Sequence, residues 1–199
     1  MTLPIYTIFD FETTGLNKTP GDDQVIEIAA LRTDLERDYG AIHLSVQLEK
    51  GREMSDFIKN LTGLQEADLE YGLSEWKAVE ILRSFMFGTI AVAHHYPFDS
   101  SFLKQAVPMD DPTDFICTRV LVKVCEPEAS ASLKDVAARI GYDLTGHHRA
   151  GNDVRCTKEV LKRYLPIAAE RGINVMNLVI NDKERPLSYI PDFAEVYTR

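Results

Sequence analysis

Asp10 and Glu12 stand two residues apart at the end of an apolar stretch, in Phe9-Asp10-Phe11-Glu12-Thr13-Thr14-Gly15. On an extended strand, side chains at i and i+2 share a face. A second apolar run ends in Ala93-His94-His95-Tyr96-Pro97-Phe98-Asp99, and a third segment reads His148-Arg149-Ala150-Gly151-Asn152-Asp153. If the fold gathers Asp10, Glu12, Asp99 and Asp153, their repulsion is relieved by protons or by divalent cations. Oxygen donors alone suit a hard cation, Mg²⁺ or Mn²⁺. His148, just upstream of Asp153, offers an imidazole that can accept a proton near neutral pH. Two cations about 4 Å apart can activate a water and stabilise the leaving oxygen of an in-line displacement. The chemistry implied is metal-dependent cleavage of phosphodiester bonds. No serine or cysteine stands in a triad context, so direct attack by water is the simpler route.

Singly, each element is ordinary. Asp99 and Asp153 would both suit the first turn of a helix, where the macrodipole favours acids. Their joint occurrence, each at a strand end or helix start, is what points to a site.

The pattern along the chain supplies the elements that must position these groups. Leu3–Phe11 reads as a strand buried on both faces, and Asn17–Asp23 as a polar loop. Val25–Leu31 and Ala41–Leu48 read as strands joined by short, antiparallel links. Gln65–Glu70 suits a helical turn and Ser74–Phe87 a helix with Ser74 as its cap and Gly88 as its stop. Thr89–His94 reads as a strand, and Pro97 opens a helix to about Gln105. Phe115–Cys117 suits a short strand leading into a helix through Val124. Ser132–Ile140 reads as a capped helix. Ala150–Leu165 reads as another, closed by Pro166. Ile167–Leu178 continues a helical pattern, and Asp182–Pro191 reads as loop. Strands followed by alternating helix and strand indicate an α/β layer with a mixed sheet.

A chain of 199 residues, 45% hydrophobic, can build one domain with a substantial core. We expect residues 166–199 to be an extension that packs on the core or binds a partner. No membrane span and no secretory signal are legible. Cys117, Cys125 and Cys156 have neither metal-ligand spacing nor an even number, which fits small buried thiols in a reducing cytoplasm. The net charge of −9 argues for capture of a strand end rather than extensive duplex binding. Lys158, Lys162 and Arg163 fall at helical spacing and read as a solvated helix face.

These motifs resemble those of the DEDDh exonucleases, the DnaQ-like group that includes the proofreading ε subunit, RNase T and animal 3′ repair exonucleases. Asp10–Gly15 matches Asp-x-Glu-Thr-Thr-Gly, Ala93–Asp99 matches Ala-His-Asn-x-x-Phe-Asp with one departure, and His148, Ala150 and Asp153 match His-x-Ala-x-x-Asp. Leu61-Thr62-Gly63-Leu64 looks like the family's segment near the terminal base. The resemblance spans roughly residues 4 to 165, taken as an exonuclease domain over 1–165. It implies a ribonuclease H-like fold: a five-stranded mixed sheet, order 3-2-1-4-5, flanked by helices. It implies two divalent cations, the first held by Asp10, Glu12 and Asp153, the second touched by Asp10 and supported by Asp99. His148 would be the general base rather than His147. Thr13, Thr14, Gly15, Leu16, Leu64, His95 and Phe98 would meet the substrate. His95 is the departure, standing where the family has an Asn that orients the terminal nucleotide. Phe11 either frames the terminal base or lies on the opposite sheet face. The reaction implied is release of nucleoside 5′-monophosphates from the 3′ end of a single strand, with DNA favoured. The alternatives are an exoribonuclease on short RNA or RNA tails, and a proofreading or accessory subunit whose tail binds a polymerase.

Overall fold

β1 (Tyr6–Thr13) is the central strand, and its side chains alternate between two covered faces, which is why almost every residue in it is apolar or threonine. The computed structural model describes residues 3–16, 19, 21–108, 114–183 and 185–197; the loop expected at Asn17–Asp23 lies partly outside them. β2 (Val25–Thr33) and β3 (Asp38–Ser45) add antiparallel to one side of β1. β4 (Ile90–Ala93) and β5 (Phe115–Cys117) add in parallel to the other. The order is therefore β3-β2-β1-β4-β5, the mixed sheet of a ribonuclease H-like fold.

β3 begins three residues earlier than the hydrophobic pattern suggests. The Asp34 carboxylate accepts the backbone N–H groups of Glu36 and Arg37 at 2.9 and 2.7 Å, which closes a tight turn. β3 is an edge strand and alternates exposed with half-buried residues, whereas β2 is buried along almost all its length.

Seven helices cover the described sheet. α1 (Asp56–Thr62) is absent from the sequence reading. Ser55 caps it by accepting the Ile58 N–H, and Gly63 ends it in the left-handed region at φ 73°. α2 (Glu66–Leu69) and α3 (Glu75–Met86) follow. Ser74 stands at the start of α3 but its side chain makes no capping bond; Glu75 instead accepts the Val25 N–H at 2.8 Å. α4 (Tyr96–Ala106), α5 (Thr118–Cys125) and α6 (Leu133–Ile140) occupy the expected places. All three cysteines are free and buried.

α7 (Ala150–Glu170) corrects the expected stop at Pro166, because it runs through that proline. The ring is exposed, as is Lys162, whose carbonyl loses its donor, while Leu165, Ile167 and Ala168 pull the last turn onto the core. The expected helical continuation to Leu178 fails at Gly172, which takes φ 67°. Beyond it the chain forms a small parallel pair, β6 (Leu178–Ile180) with β7 (Glu195–Tyr197). Asn177 fastens this segment to β5: its N–H donates to the Phe115 carbonyl at 2.9 Å, and its side-chain oxygen accepts the Phe115 N–H at 2.8 Å. Val175, Val179 and Ile180 are buried in the main core, so the segment covers a sheet edge that would otherwise be open.

Candidate active site

Three elements converge at the carboxyl end of β1. The strand runs extended through Asp10 and Glu12, so both carboxylates emerge on one face, while Phe9 and Phe11 turn to the other with ring centroids 5.6 Å apart. Asp99 comes from the first turn of α4. The junction that carries it is set by Tyr96, whose ring stacks on Phe115 at 4.0 Å and meets Phe9 edge-on. Asp99 accepts the Phe11 N–H at 3.2 Å and so is tied directly to the strand between the two acids. Asp153 comes from the first turn of α7.

Oxygens of Asp10, Glu12 and Asp153 all lie within 4.8 Å of one another. Glu12, Asp99 and Asp153 are buried. Burial, joined by the charges of Asp99, Asp153 and Glu12, holds the Asp10 carboxyl well above its ordinary value. Burial first, then Asp153 and Glu27, pushes Glu12 up to about 8, and burial pushes Asp99 to about 8. Asp10, Glu12 and Asp99 thus hold their protons above the usual range, and a hard divalent cation would take the place of those protons among these oxygen donors.

The start of α7 is anchored from β2. Glu27 lies directly opposite Glu12 in the β1–β2 register and is buried. It accepts the Ala150 N–H at 2.9 Å, Arg149 at 2.7 and 3.1 Å, and pairs with His43 at 2.9 Å. Burial would raise the Glu27 carboxyl, but these bonds outweigh it and hold the group below its usual range. Arg149, at the cap position of α7, makes no side-chain cap bond itself; Glu27 does that work from across the sheet. The sequence reading overlooked both. The available signal was a lone glutamate inside the apolar run Val25-Ile26-Glu27-Ile28-Ala29.

His147 and His148 stack with centroids 3.8 Å apart. The His147 Nδ1 lies 2.9 and 3.0 Å from the two Asp153 oxygens, while the His148 backbone N–H donates to Asp153 at 3.3 Å. His148 takes the left-handed backbone at φ 65°, which is uncommon for a side chain of this size. Burial and the neighbouring His147 lower its pKa against the opposing pull of Asp153.

These groups line one cavity of about 680 Å³. Its walls also include Thr13, Thr14, Gly15, Leu16, His95 and Phe98. Thr13 donates to the Gly15 carbonyl at 2.6 Å and Thr14 to Asp23 at 3.1 Å, so the turn after β1 is braced internally. Gly15 lets the Asp23 carboxylate approach closely: a Cβ there would force that side chain to shift. Leu64 is the exception among the expected contacts. It is buried in a second apolar cluster with Ile26, Met54, Ile58 and Leu69 and does not line the cavity. Phe57, Ile58 and Leu61 of α1 stand there instead, with Phe57 70% exposed and thus open to contact. A larger groove of about 920 Å³ lies between β3 and α7, but it contains none of the four acids, and chemistry rather than size places the site.

Residues 7–161 match the family model described as exonuclease. The chain belongs to the exonuclease family. Among the chain's relatives is the PolC-type DNA polymerase III of Thermotoga petrophila, 30% identical over 183 residues that cover 90% of this chain and 13% of the polymerase. The chain thus spans about an eighth of the length of that relative. Solved structures share its fold. The E. coli exonuclease I in complex with a dT13 oligonucleotide superposes with a TM-score of 0.69 at 16% identity, covering 84% of this chain and 43% of that one. The nuclease domain of 3′hExo, a DEDDh family member bound to rAMP, gives 0.68 at 18%, covering 83% and 94%.

His94 and His95 separate in role. His94 is sunk between Thr118 Oγ1 at 2.9 Å and the Ala131 carbonyl at 2.8 Å, and burial lowers its pKa to about 3. It is therefore a neutral structural bridge. His95 opens α4, and burial lowers its pKa to about 4.

Proposed function

We propose that this exonuclease acts from the 3′ end, hydrolysing single-stranded nucleic acid, DNA in preference to RNA, to nucleoside 5′-monophosphates with two divalent cations, Mg²⁺ or Mn²⁺. The observation that carries this reading is the convergence of Asp10, Glu12 and Asp153 within 4.8 Å inside a cavity whose burial raises the carboxyls of Asp10 and Glu12. Asp10, Glu12 and Asp153 would hold the first cation, and Asp10 and Asp99 would serve the second. When bound, the cations supply charge neutralisation and activation of the attacking water. His148 takes the proton of that water: its lowered pKa keeps the imidazole neutral, and so able to accept, near pH 7. His147 is held by Asp153 and braces the His148 ring by stacking. Thr13, Thr14 and Gly15 receive the strand terminus. Leu16, Phe57 and Phe98 form the apolar rim against the terminal base, and His95 stands at the position of the family's orienting Asn.

We assign the catalytic domain to residues 1–165 and treat 166–199 as an extension of it. The PolC-type relative supports a setting beside a DNA polymerase, in proofreading or accessory work. Free, buried cysteines support a cytoplasmic location. Among the described residues no helix is long and apolar enough to cross a membrane.

The test is degradation of 5′-labelled single-stranded DNA and matching RNA with Mg²⁺, with Mn²⁺ and with chelator. Metal-dependent laddering from the 3′ end, faster on DNA, is the expected result. Intact substrate in every metal condition would refute the proposal, and a faster RNA ladder would move the substrate to RNA tails.

A further inference from the structure

Among the described residues that line the cavity of the four acids, one comes from beyond α7. Arg185, from the connection between β6 and β7, lines it. The segment is held there by a specific anchor. Arg119, at the start of α5, is 3% exposed, and one of its terminal nitrogens donates to both oxygens of Asp182 at 2.9 and 2.8 Å. Asp182 in turn accepts the Arg185 backbone N–H at 2.8 Å, which bends the chain toward the cavity. A second fastening lies further along, where Lys104 of α4 pairs with Asp192 at 2.6 Å.

The Arg185 side chain is exposed, and among the described residues its guanidinium makes no hydrogen bond or ion pair. Its charge is nevertheless felt by His95, Asp99 and His148. A guanidinium presents a rigid fork of donors matched to phosphate oxygens. It therefore adds a cation to a cavity whose lining also carries the four carboxyls and four histidines. Resting on the exonuclease reading above, we propose that Arg185 is a substrate-binding residue that grips a backbone phosphate of the entering single strand. Asp182 and Arg119 are the positioning residues that hold it at the mouth. On this view the extension completes the active site, and a chain ended after α7 lacks one phosphate contact.

The test compares wild type, R185A, R185K and K183A. Lys183 is exposed and is not part of the cavity wall. The probe is a fluorescein-labelled single-stranded dT oligonucleotide, with binding read by anisotropy and turnover by product release. R185A is expected to weaken binding and raise KM about tenfold, the worth of one partly solvated charge-assisted hydrogen bond. Its plot of log K against log salt should flatten by about 0.7, the share of one phosphate on a single strand. R185K should keep the slope and recover part of the affinity, and K183A should match wild type in both. Wild-type affinity and slope in R185A would overturn the proposal, as would an equal loss in K183A. Competition by thymidine 5′-monophosphate separates the strand's phosphate from the released one. A defect of R185A confined to the monophosphate would overturn the strand assignment. If wild type binds the oligonucleotide but hydrolyses nothing with any metal, the exonuclease reading fails while the Arg185 contact is still decided by anisotropy. Wild type that binds no oligonucleotide overturns both.

Discussion

Glu27→Ala removes a residue that touches neither metal nor substrate, and its effect can be worked from its bonds. Glu27 is 3% exposed and accepts from four donor groups, one of them the Ala150 N–H at the first residue of α7. The buried Ala150 donor, left unsatisfied, costs about 1–2 kcal/mol. The Arg149 head is 42% exposed and His43 54%, so both rehydrate, and screening reduces their share to about 1 kcal/mol together. The sum, about 2–3 kcal/mol, corresponds to a melting temperature lower by about 4–12 °C for a domain of this size. Glu27→Gln keeps an acceptor for Ala150 and should lose about 1 kcal/mol or less. Function should suffer more than stability suggests, because Asp153 lies on the first turn of the helix that Glu27 anchors, and a displacement of about 1 Å costs about a hundredfold in rate. We expect kcat to fall about 10- to 100-fold, with KM little changed. Differential scanning fluorimetry and steady-state exonuclease kinetics, both at saturating Mg²⁺, are the assays. A Glu27→Ala protein that melts within about 1 °C of wild type and turns over within about twofold would refute the anchoring argument.

Asp10→Ala and Asp153→Ala should each abolish turnover, yet Asp10→Ala should raise the melting temperature in chelator by relieving carboxylate repulsion; unchanged turnover in either would sink the metal assignment. His148→Ala should lose kcat rather than KM, and by more than His147→Ala, in single-turnover assays; equal losses would mean that the base is misnamed. Glu12 and Asp99 have folded pKa values near 8, raised above their unfolded ones. The folded state therefore binds more protons between about pH 4 and 8, and stability in chelator should fall as pH rises through that window. Mg²⁺ should consequently raise the melting temperature more at pH 8 than at pH 5.5, and a metal shift independent of pH would contradict the shared carboxylate site.

The four acids and the elements that carry them are legible without coordinates. Asp10 and Glu12 are readable because strand geometry puts i and i+2 on one face, and Asp99 and Asp153 because each follows an interpretable helix start. The order of strands was legible through the family resemblance rather than through periodicity, since periodicity carries no information on neighbours. Long-range polar pairing, by contrast, is visible only in the folded chain. Glu27 looks like an anomaly in an apolar strand until Arg149 and Ala150, more than 120 residues away, are seen on it. Leu64 and Leu61 have equal claim to the cavity in sequence, and the packing of α1 against Ile26 buries the first and opens the second to the site. Pro166 reads as a stop because a proline removes a helix bond, but where that gap faces water the loss is small and burial of Ala168 carries the helix on. The tail carried no catalytic motif, and its place beside the cavity rests on long-range contacts such as the ion pair of Arg119 with Asp182, residues 63 positions apart. Local patterns report which face a side chain takes; which charge meets which across the fold is set by where the backbone brings them, and no window of sequence holds both partners.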